Sequence, residues 1–194
     1  MIFANDMRRV FHITALIALL LAAAPARVRA TTLQRMTLEE LAATAPVIAR
    51  VRCIASESRW EQGRIWTLTH VEVREVLKGS APRQITLRLL GGKVGGLIAK
   101  VEGVPRFVAG EEVIVFLEPS RAGGWGVVSW VQGTFRIARA GAEGEERVTQ
   151  DTAGVAVFDP RTQRFERGDA RKLPLVEFKA RVARAVERGR GGAR

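Results

Sequence analysis

Cys53 is the one cysteine of the chain, and His70 lies in the same region of alternating residues. A thiolate beside an imidazole would supply a nucleophile and its base. In the hairpin predicted below, however, Cys53 lies on the apolar stripe and His70 on the opposite one. Because a buried thiol is inert, the sequence predicts a structural cysteine and no catalytic residue. A single cysteine also excludes an internal disulfide framework and a cysteine zinc site, and no metal or other cofactor is predicted.

The segment from Gly91 to Gly96 surrounds Lys93 with glycines, whose backbone N–H groups could cradle a phosphate. It lacks the spacing Gly-x4-Gly-Lys-Ser/Thr of phosphate-binding loops. We therefore interpret it as a flexible loop that needs positive φ or close backbone approach. Carboxylate pairs also occur without a histidine or aspartate placed to complete a metal site, so we predict that they are solvated. These pairs are Glu39/Glu40, Glu111/Glu112 and Glu145/Glu146.

Arginines and tryptophans share the outward side of the first predicted hairpin. OB-type folds use such side chains to stack on and clamp extended ligands. The candidate ligand-binding residues are Arg50, Arg52, Trp60, Trp66 and Arg74. Apolar residues lie on the same predicted side, namely Ile48, Ile54 and Leu68. The alternative is that the last helix covers this side with Leu175, Phe178 and Val182, and the sequence leaves both interpretations open.

Two runs of alternating apolar and polar residues carry these side chains and predict half-buried strands over 47–60 and 65–77. The linker Glu61-Gln62-Gly63 predicts a three-residue loop with glycine in the left-handed conformation. Such a loop would pair Trp60 with Arg64. Both apolar stripes would then face the same way, so the turn chemistry and the hydrophobic pattern agree.

The rest of the chain also predicts short strands with a helix at each end. A capping box at Thr37 and Glu40 predicts a helix over 38–44, and Pro174 begins an amphipathic helix to about 187. The run 113–117 is apolar on both faces, which predicts a central strand. Other strands are predicted over 84–90, 97–102, 127–137 with a bulge at Gly133, 147–150 and 154–158, with a polar loop over 139–146. We predict a mainly β fold, a small antiparallel OB-like barrel with a short N-terminal helix and a C-terminal amphipathic helix.

Residues 1–30 have the layout of a secretory signal peptide. Met7-Arg8-Arg9 is basic, and the apolar run from Ile13 to Ala24 is too short to span a bilayer. Cleavage is predicted after Ala30, with Ala26 as the alternative site, and an uncleaved anchor is the alternative interpretation. We therefore predict export to the periplasm or medium, with no transmembrane segment after cleavage. Residues 31–188 would form one domain, and 189–194 a disordered basic tail.

The charge of the chain is strongly positive, with 31 Lys and Arg against 20 Asp and Glu. Residues 159–194 hold eleven Lys and Arg against five Asp and Glu, and a tail of this charge attracts nucleic acid, anionic lipid or acidic polysaccharide. Arginine is enriched along the whole chain rather than at one place, which indicates a compositional bias. We therefore predict no specific nucleic-acid partner and retain an envelope protein or an anionic polymer. The oligomeric state is left open.

The stretch from Pro46 to Ile137 resembles a family of short, uncharacterised exported bacterial proteins. Four pieces carry the resemblance: 73–79, with its Lys-Gly turn, the glycine segment 91–96, Pro105-Arg106-Phe107 and 110–117. More distantly, this layout resembles the netrin-like domain of tissue inhibitors of metalloproteinases, an OB-type barrel. The resemblance implies a barrel. It does not extend to inhibition, because those inhibitors use an N-terminal cysteine where this mature chain would begin with Thr31.

Together these observations predict an exported, non-enzymatic binding or interaction module of the cell envelope or extracellular space. A protease-directed partner is the alternative that the distant resemblance implies. An enzyme of unfamiliar chemistry is the other alternative, and a deep pocket lined by convergent polar groups would support it.

Overall fold

The computed structural model describes residues 33–140, 144–150, 152, 155–167 and 172–191. The predicted signal peptide, residues 1–30, and the last three residues of the predicted tail lie outside these ranges. Two helices are described, α1 over Leu38–Thr44 and α2 over Leu175–Gly191. The strands are β1 Leu33–Gln34, β2 Val47–Glu61, β3 Arg64–Lys78, β4 Gln84–Leu90, β5 Gly92–Val94, β6 Leu97–Ala99, β7 Glu112–Pro119, β8 Trp125–Val127, β9 Thr134–Ala140, β10 Glu145–Gln150, β11 Ala156–Asp159, β12 Arg164–Arg167 and β13 Lys172–Pro174.

Most strands belong to one sheet with the order β13-β10-β9-β7-β2-β3-β4-β8. Strand β8 also pairs with β7, so β7, β2, β3, β4 and β8 form a ring of hydrogen-bonded strands. The pair β5–β6 forms a separate hairpin, and β1, β11 and β12 form a small third sheet. The predicted fold class is confirmed: the chain is mainly β, with a short helix before the main strands and a longer one after them.

The first hairpin has a tighter turn than predicted. Glu61 pairs with Arg64, so the loop is two residues, and both Gln62 and Gly63 have positive φ. This is the geometry of a type I′ turn, whose twist matches that of the strands. The predicted pairing of Trp60 with Arg64 is therefore wrong, and Trp60 pairs with Ile65.

A β-bulge at Ile54 shifts the pairing of β2 with β3 by one residue, so that the pairing farther from the turn is the predicted one. Cys53 pairs with Val71 and Ala55 with His70, so Ile54 is the extra residue. Pairing at Cys53 and Val51 is as predicted, and their side chains are buried. Because a one-residue insertion exchanges the two faces of a strand, β2 residues on either side of Ile54 follow opposite alternations.

The sheet has a hydrophobic core on each side. The core inside the ring contains Val51, Cys53, Val71, Leu87 and Val115. The core outside the ring contains Ile48, Ile114, Phe116, Phe135 and Phe178. Strand β7 contributes to both, because all residues from 113 to 117 are buried, which confirms the predicted central strand.

Both helices pack on the outer core. The capping box of α1 is present: the Thr37 hydroxyl accepts from the Glu40 amide, and the Glu40 carboxylate accepts from the Thr37 amide. At the other end of α1, the Lys78 ammonium donates to the carbonyls of Ala42 and Ala45 at 2.6 and 2.7 Å. This contact satisfies two carbonyls that a helix end leaves without partners.

Helix α2 buries Leu175, Phe178 and Val182, as predicted. The stripe packs on Ile48, Phe116 and Phe135, so the predicted cover of the outward side is confirmed at Ile48. Ile54, Trp66 and Leu68 are not part of this cluster, so the cover does not extend to them. The helix also continues through residues 189–191, which were predicted to be disordered.

Several shorter predictions are also corrected. The glycine segment 91–96 is not a simple loop, since β5 and β6 pair across a turn at Gly95 and Gly96. The predicted strand over 127–137 is interrupted by a 3₁₀ turn at Trp130–Gly133, so Gly133 is not a bulge within a strand. The predicted polar loop over 139–146 is shorter, since β9 reaches Ala140 and β10 begins at Glu145. Among the described helices, none is long and apolar enough to cross a membrane.

An ion cluster centred on Arg50 joins three strands on the helix side of the sheet. Its guanidinium donates to the carboxylates of Glu112 on β7 and Glu146 on β10. The hydrogen bond from Arg50 holds the pKa of Glu146 below its usual range. The cluster therefore favours the folded state only while Glu146 is ionised.

We expect the stability of the protein to fall as the pH drops below about 4.3, the ordinary pKa of glutamate. The folded state has the lower Glu146 pKa, so its contribution is complete above the unfolded value and is lost as the pH falls through the folded value. Urea unfolding at a series of pH values measures this effect. Glu146→Gln should flatten the dependence, whereas Glu145→Gln, at the neighbouring exposed position, should not. Equal slopes in both variants would contradict the assignment.

Candidate functional site

The five residues predicted to bind a ligand do not form one site. Arg50 is engaged by two carboxylates on the helix side of the sheet. Arg74 pairs with Glu72 at 3.3 Å, and Arg52 is exposed. Trp60 and Trp66 lie on opposite faces of the hairpin, because Trp60 pairs with Ile65 and Trp66 with Arg59. The bulge at Ile54 moves Trp60 to the other face, and Arg74 lies at a second irregularity, between the pairs Arg50–Glu75 and Val51–Val73.

Trp66 already has a cationic partner on the outer face. The guanidinium of Arg88 lies 5.0 Å from the centre of the Trp66 ring and pairs with Glu61. This arrangement is a cation–π contact supported by an ion pair. Trp66 therefore packs against Arg88 on the outer surface of the hairpin, whereas Trp60 is exposed on the opposite face.

A ladder of hydroxyl groups lies on the inner side of the hairpin. Ser56 and Thr69 are 2.9 Å apart, and Ser58 and Thr67 are 3.0 Å apart, in each case between hydroxyl oxygens. The bulge places Ser56 and Ser58 on the inner face. The inward residues of β2 are therefore apolar as far as Cys53 and polar beyond it. A groove with a volume of about 410 Å³ lies at this end of the ring, and all four hydroxyl residues are part of its lining.

The β5–β6 hairpin covers one side of this groove. The Thr67 hydroxyl donates to the Gly91 carbonyl at 2.6 Å, and the Gly91 amide donates to the Ile65 carbonyl at 2.7 Å. Arg106 donates to the Thr67 hydroxyl at 3.1 Å and to the Ala99 carbonyl. Residues of the segments 91–96 and 105–107 thus meet at the groove.

Three large apolar side chains are exposed on β2 and β6, two strands that contribute to the groove, and one of them, Ile98, is part of its lining. Leu97 and Ile98, on β6, are 60% and 73% exposed, and Trp60 is 55% exposed on the same strand face as Ser58. Two cations, Lys93 and Arg106, accompany them. Neither has an acidic partner among the described residues. We call Trp60, Leu97, Ile98, Lys93 and Arg106 the hairpin surface.

The lining of the groove combines three kinds of chemical group. Its described lining contains hydroxyls, cations and apolar groups, with no histidine or carboxylate to act as a general base. Within the described ranges, no cluster of three His, Cys, Asp or Glu side chains could hold a metal ion. Hydroxyls and guanidinium groups can donate to carboxylates or carbonyls, and exposed apolar side chains favour burial by a partner.

Cys53 lies at the apolar end of the same interior and is buried. Desolvation raises the pKa of its thiol. His70 is exposed on the outer face and contacts Thr86, so the two residues do not form a dyad. Their opposite placement is as predicted.

Native Cys53 should therefore react slowly with a thiol reagent and rapidly in denaturant, because only unfolding exposes the thiolate. Cys53→Ala should lower the free energy of unfolding by about 1–2 kcal/mol. Labelling with 5,5′-dithiobis(2-nitrobenzoate) measures the first effect and urea unfolding the second. Native labelling as fast as that of free cysteine would show that the thiol is accessible.

Comparison with known proteins adds no relative: no family model matches the chain, and no curated protein matches it.

The sequence contains one signal for this groove. Polar residues replace apolar ones at the inward positions of both strands between 56 and 69, next to a glycine-rich segment. Strict alternation without a bulge places Ser56 and Ser58 on the outward face, so alternation alone does not predict the ladder of hydroxyl groups.

Proposed function

We propose that this protein is an exported binding module that engages a protein partner through the hairpin surface. The observation that carries the proposal is the exposure of Ile98 in the groove lining, together with that of Trp60 and Leu97 on the strands β2 and β6 that contribute to it. Full burial of such side chains contributes about 1.5–3 kcal/mol each. Tryptophan and arginine are also the residues most enriched among those that dominate binding energy.

Charge indicates the chemistry of the partner. Lys93 and Arg106 give the surface two cations without described acidic partners, while the backbone and hydroxyl groups of the groove offer hydrogen bonds. A segment with apolar residues next to a carboxylate would complement all three features. An anionic polymer would satisfy the cations but would leave Leu97 and Ile98 in water, so a protein is the better fit.

Export is supported by the layout of residues 1–30, with a basic start, a short apolar run, and Val28 and Ala30 at the −3 and −1 positions of the predicted cleavage site. The partner would then be found in the envelope or medium. The netrin-like resemblance makes an exported protease one class of partner to test. The groove has no described general base, so we do not propose an enzymatic role.

The test compares two double variants in extracts of the producing cells. Leu97→Ser/Ile98→Ser removes apolar groups from the hairpin surface. Phe165→Ser/Val176→Ser removes groups that are 64% and 81% exposed and lie outside the groove lining. We expect the wild type and the second variant to elute from size exclusion in a complex, and the first to elute as free protein.

If both variants elute in the same complex as the wild type, the proposal is contradicted. Addition of polygalacturonate tests the anionic polymer directly. If this polymer binds the wild type and both variants equally, recognition depends on overall charge and the hairpin surface is not the site.

A further inference from the structure

A second concavity lies between the two helices, on the opposite side of the sheet from the ring interior. It has a volume of about 670 Å³, within the range of about 300–1,000 Å³ typical of small-ligand sites. Its inner wall is continuous with the outer core through Phe135, Val148 and Phe178. Part-buried Met36, Leu38 and Leu173 extend this apolar wall toward the opening.

The rim of this helix cleft is cationic. Among the described residues, five arginines and two glutamates line it. On α2, Arg181 pairs with Glu177 at 2.6 Å, and Arg188 pairs with Glu39 of α1 at 2.7 Å. Arg184 lies on the same helix face, since positions 181, 184 and 188 are spaced by three and four residues.

Arg184 differs from the other two arginines. It lines the cleft without an ion pair or hydrogen bond to any described residue, so its guanidinium is available to a ligand. A guanidinium presents a planar fork of donors that matches carboxylate and phosphate oxygens. The cleft therefore combines an available anion-binding group with an apolar wall.

We propose that the helix cleft binds an amphipathic anion, with a carboxylate or phosphate head at Arg184 and an apolar tail against Met36, Leu38 and Leu173. Both halves of such a ligand are needed to match the site. A simple inorganic anion would leave the apolar wall exposed, and a neutral alkane would leave the cation without a partner. This site is separate from the hairpin surface and does not depend on the function proposed for it.

Isothermal titration of the purified protein with dodecanoate, below its critical micelle concentration, tests the proposal. We expect saturable binding and an affinity that rises about fourfold per methylene from octanoate to dodecanoate. Acetate and dodecyltrimethylammonium, which lack the tail or reverse the charge, should not bind. Failure of dodecanoate to bind, or equal binding of the cationic amphiphile, would overturn the proposal.

Two variants of equal charge locate the site. Arg184→Gln should weaken dodecanoate binding about tenfold, the loss expected for a hydrogen bond to a charged group. Arg190→Gln, on the same helix but outside the cleft lining, should change it less than about twofold by the same reasoning. Equal losses in both variants would indicate attraction to the helix as a whole and overturn the assignment. Binding to phosphatidylglycerol vesicles without binding to monomeric dodecanoate would assign a membrane surface instead and would also overturn it.

Discussion

Phe178→Ala is expected to lower the free energy of unfolding by about 3–5 kcal/mol, the range for truncating a buried phenylalanine. The Phe178 ring is buried, and its centre lies 4.6 Å from that of Phe135. Phe135 in turn contacts Phe116 of the central strand. The substitution would therefore leave a cavity where α2 meets the sheet, and urea unfolding measures its cost.

Val176→Ala is the matched control for this prediction. Val176 lies on the same helix two residues earlier and is exposed. We expect its truncation to change stability by no more than about 0.5 kcal/mol. A loss for Phe178→Ala no larger than that of the control would mean that the helix does not complete the outer core.

Gly92→Ala is expected to destabilise the protein by about 2–4 kcal/mol, combining backbone strain with overpacking. Gly92 has φ of 144°, a conformation that residues with a side chain rarely adopt. An added Cβ would also meet the hydroxyls of Ser58 and Thr67. The change would thus separate the β5–β6 hairpin from the hydroxyl ladder.

Gly96→Ala tests whether this effect is specific to the close approach. Gly96 lies in the turn of the same hairpin, and an added Cβ there would have no neighbour within 4 Å. Its substitution should be nearly neutral in urea unfolding. If the two alanine variants are equally stable, the packing of β5 on the ladder does not contribute to the fold.

Local patterns predicted the elements that depend on local chemistry. The capping box of α1, the long strands β2 and β3, and the amphipathic stripe of α2 all follow from residue spacing and occur as predicted. The buried central strand was recognised because its residues are apolar on both faces. These features require no knowledge of distant partners.

The candidate site was harder to predict, because it depends on one inserted residue. The two-residue turn changed the register near the tip, and the bulge at Ile54 restored it at Cys53. Alternation alone does not show this exchange of the inward and outward faces of β2. The sequence pattern therefore grouped arginines and tryptophans that lie on two different faces. Strand β1 was also missed, because a two-residue strand depends on its long-range partner β11.

The central claim is that the hairpin surface binds a protein partner, and site-specific photo-crosslinking tests it most directly. A photoreactive amino acid would replace Ile98 in one variant and Val176 in another, in the cells that produce the protein. Both positions are strongly exposed, so the probes are equally able to react. We predict a discrete adduct of higher mass from position 98, weakened by Lys93→Glu, and none from position 176. No adduct at position 98, or the same adducts from both positions, would contradict the account.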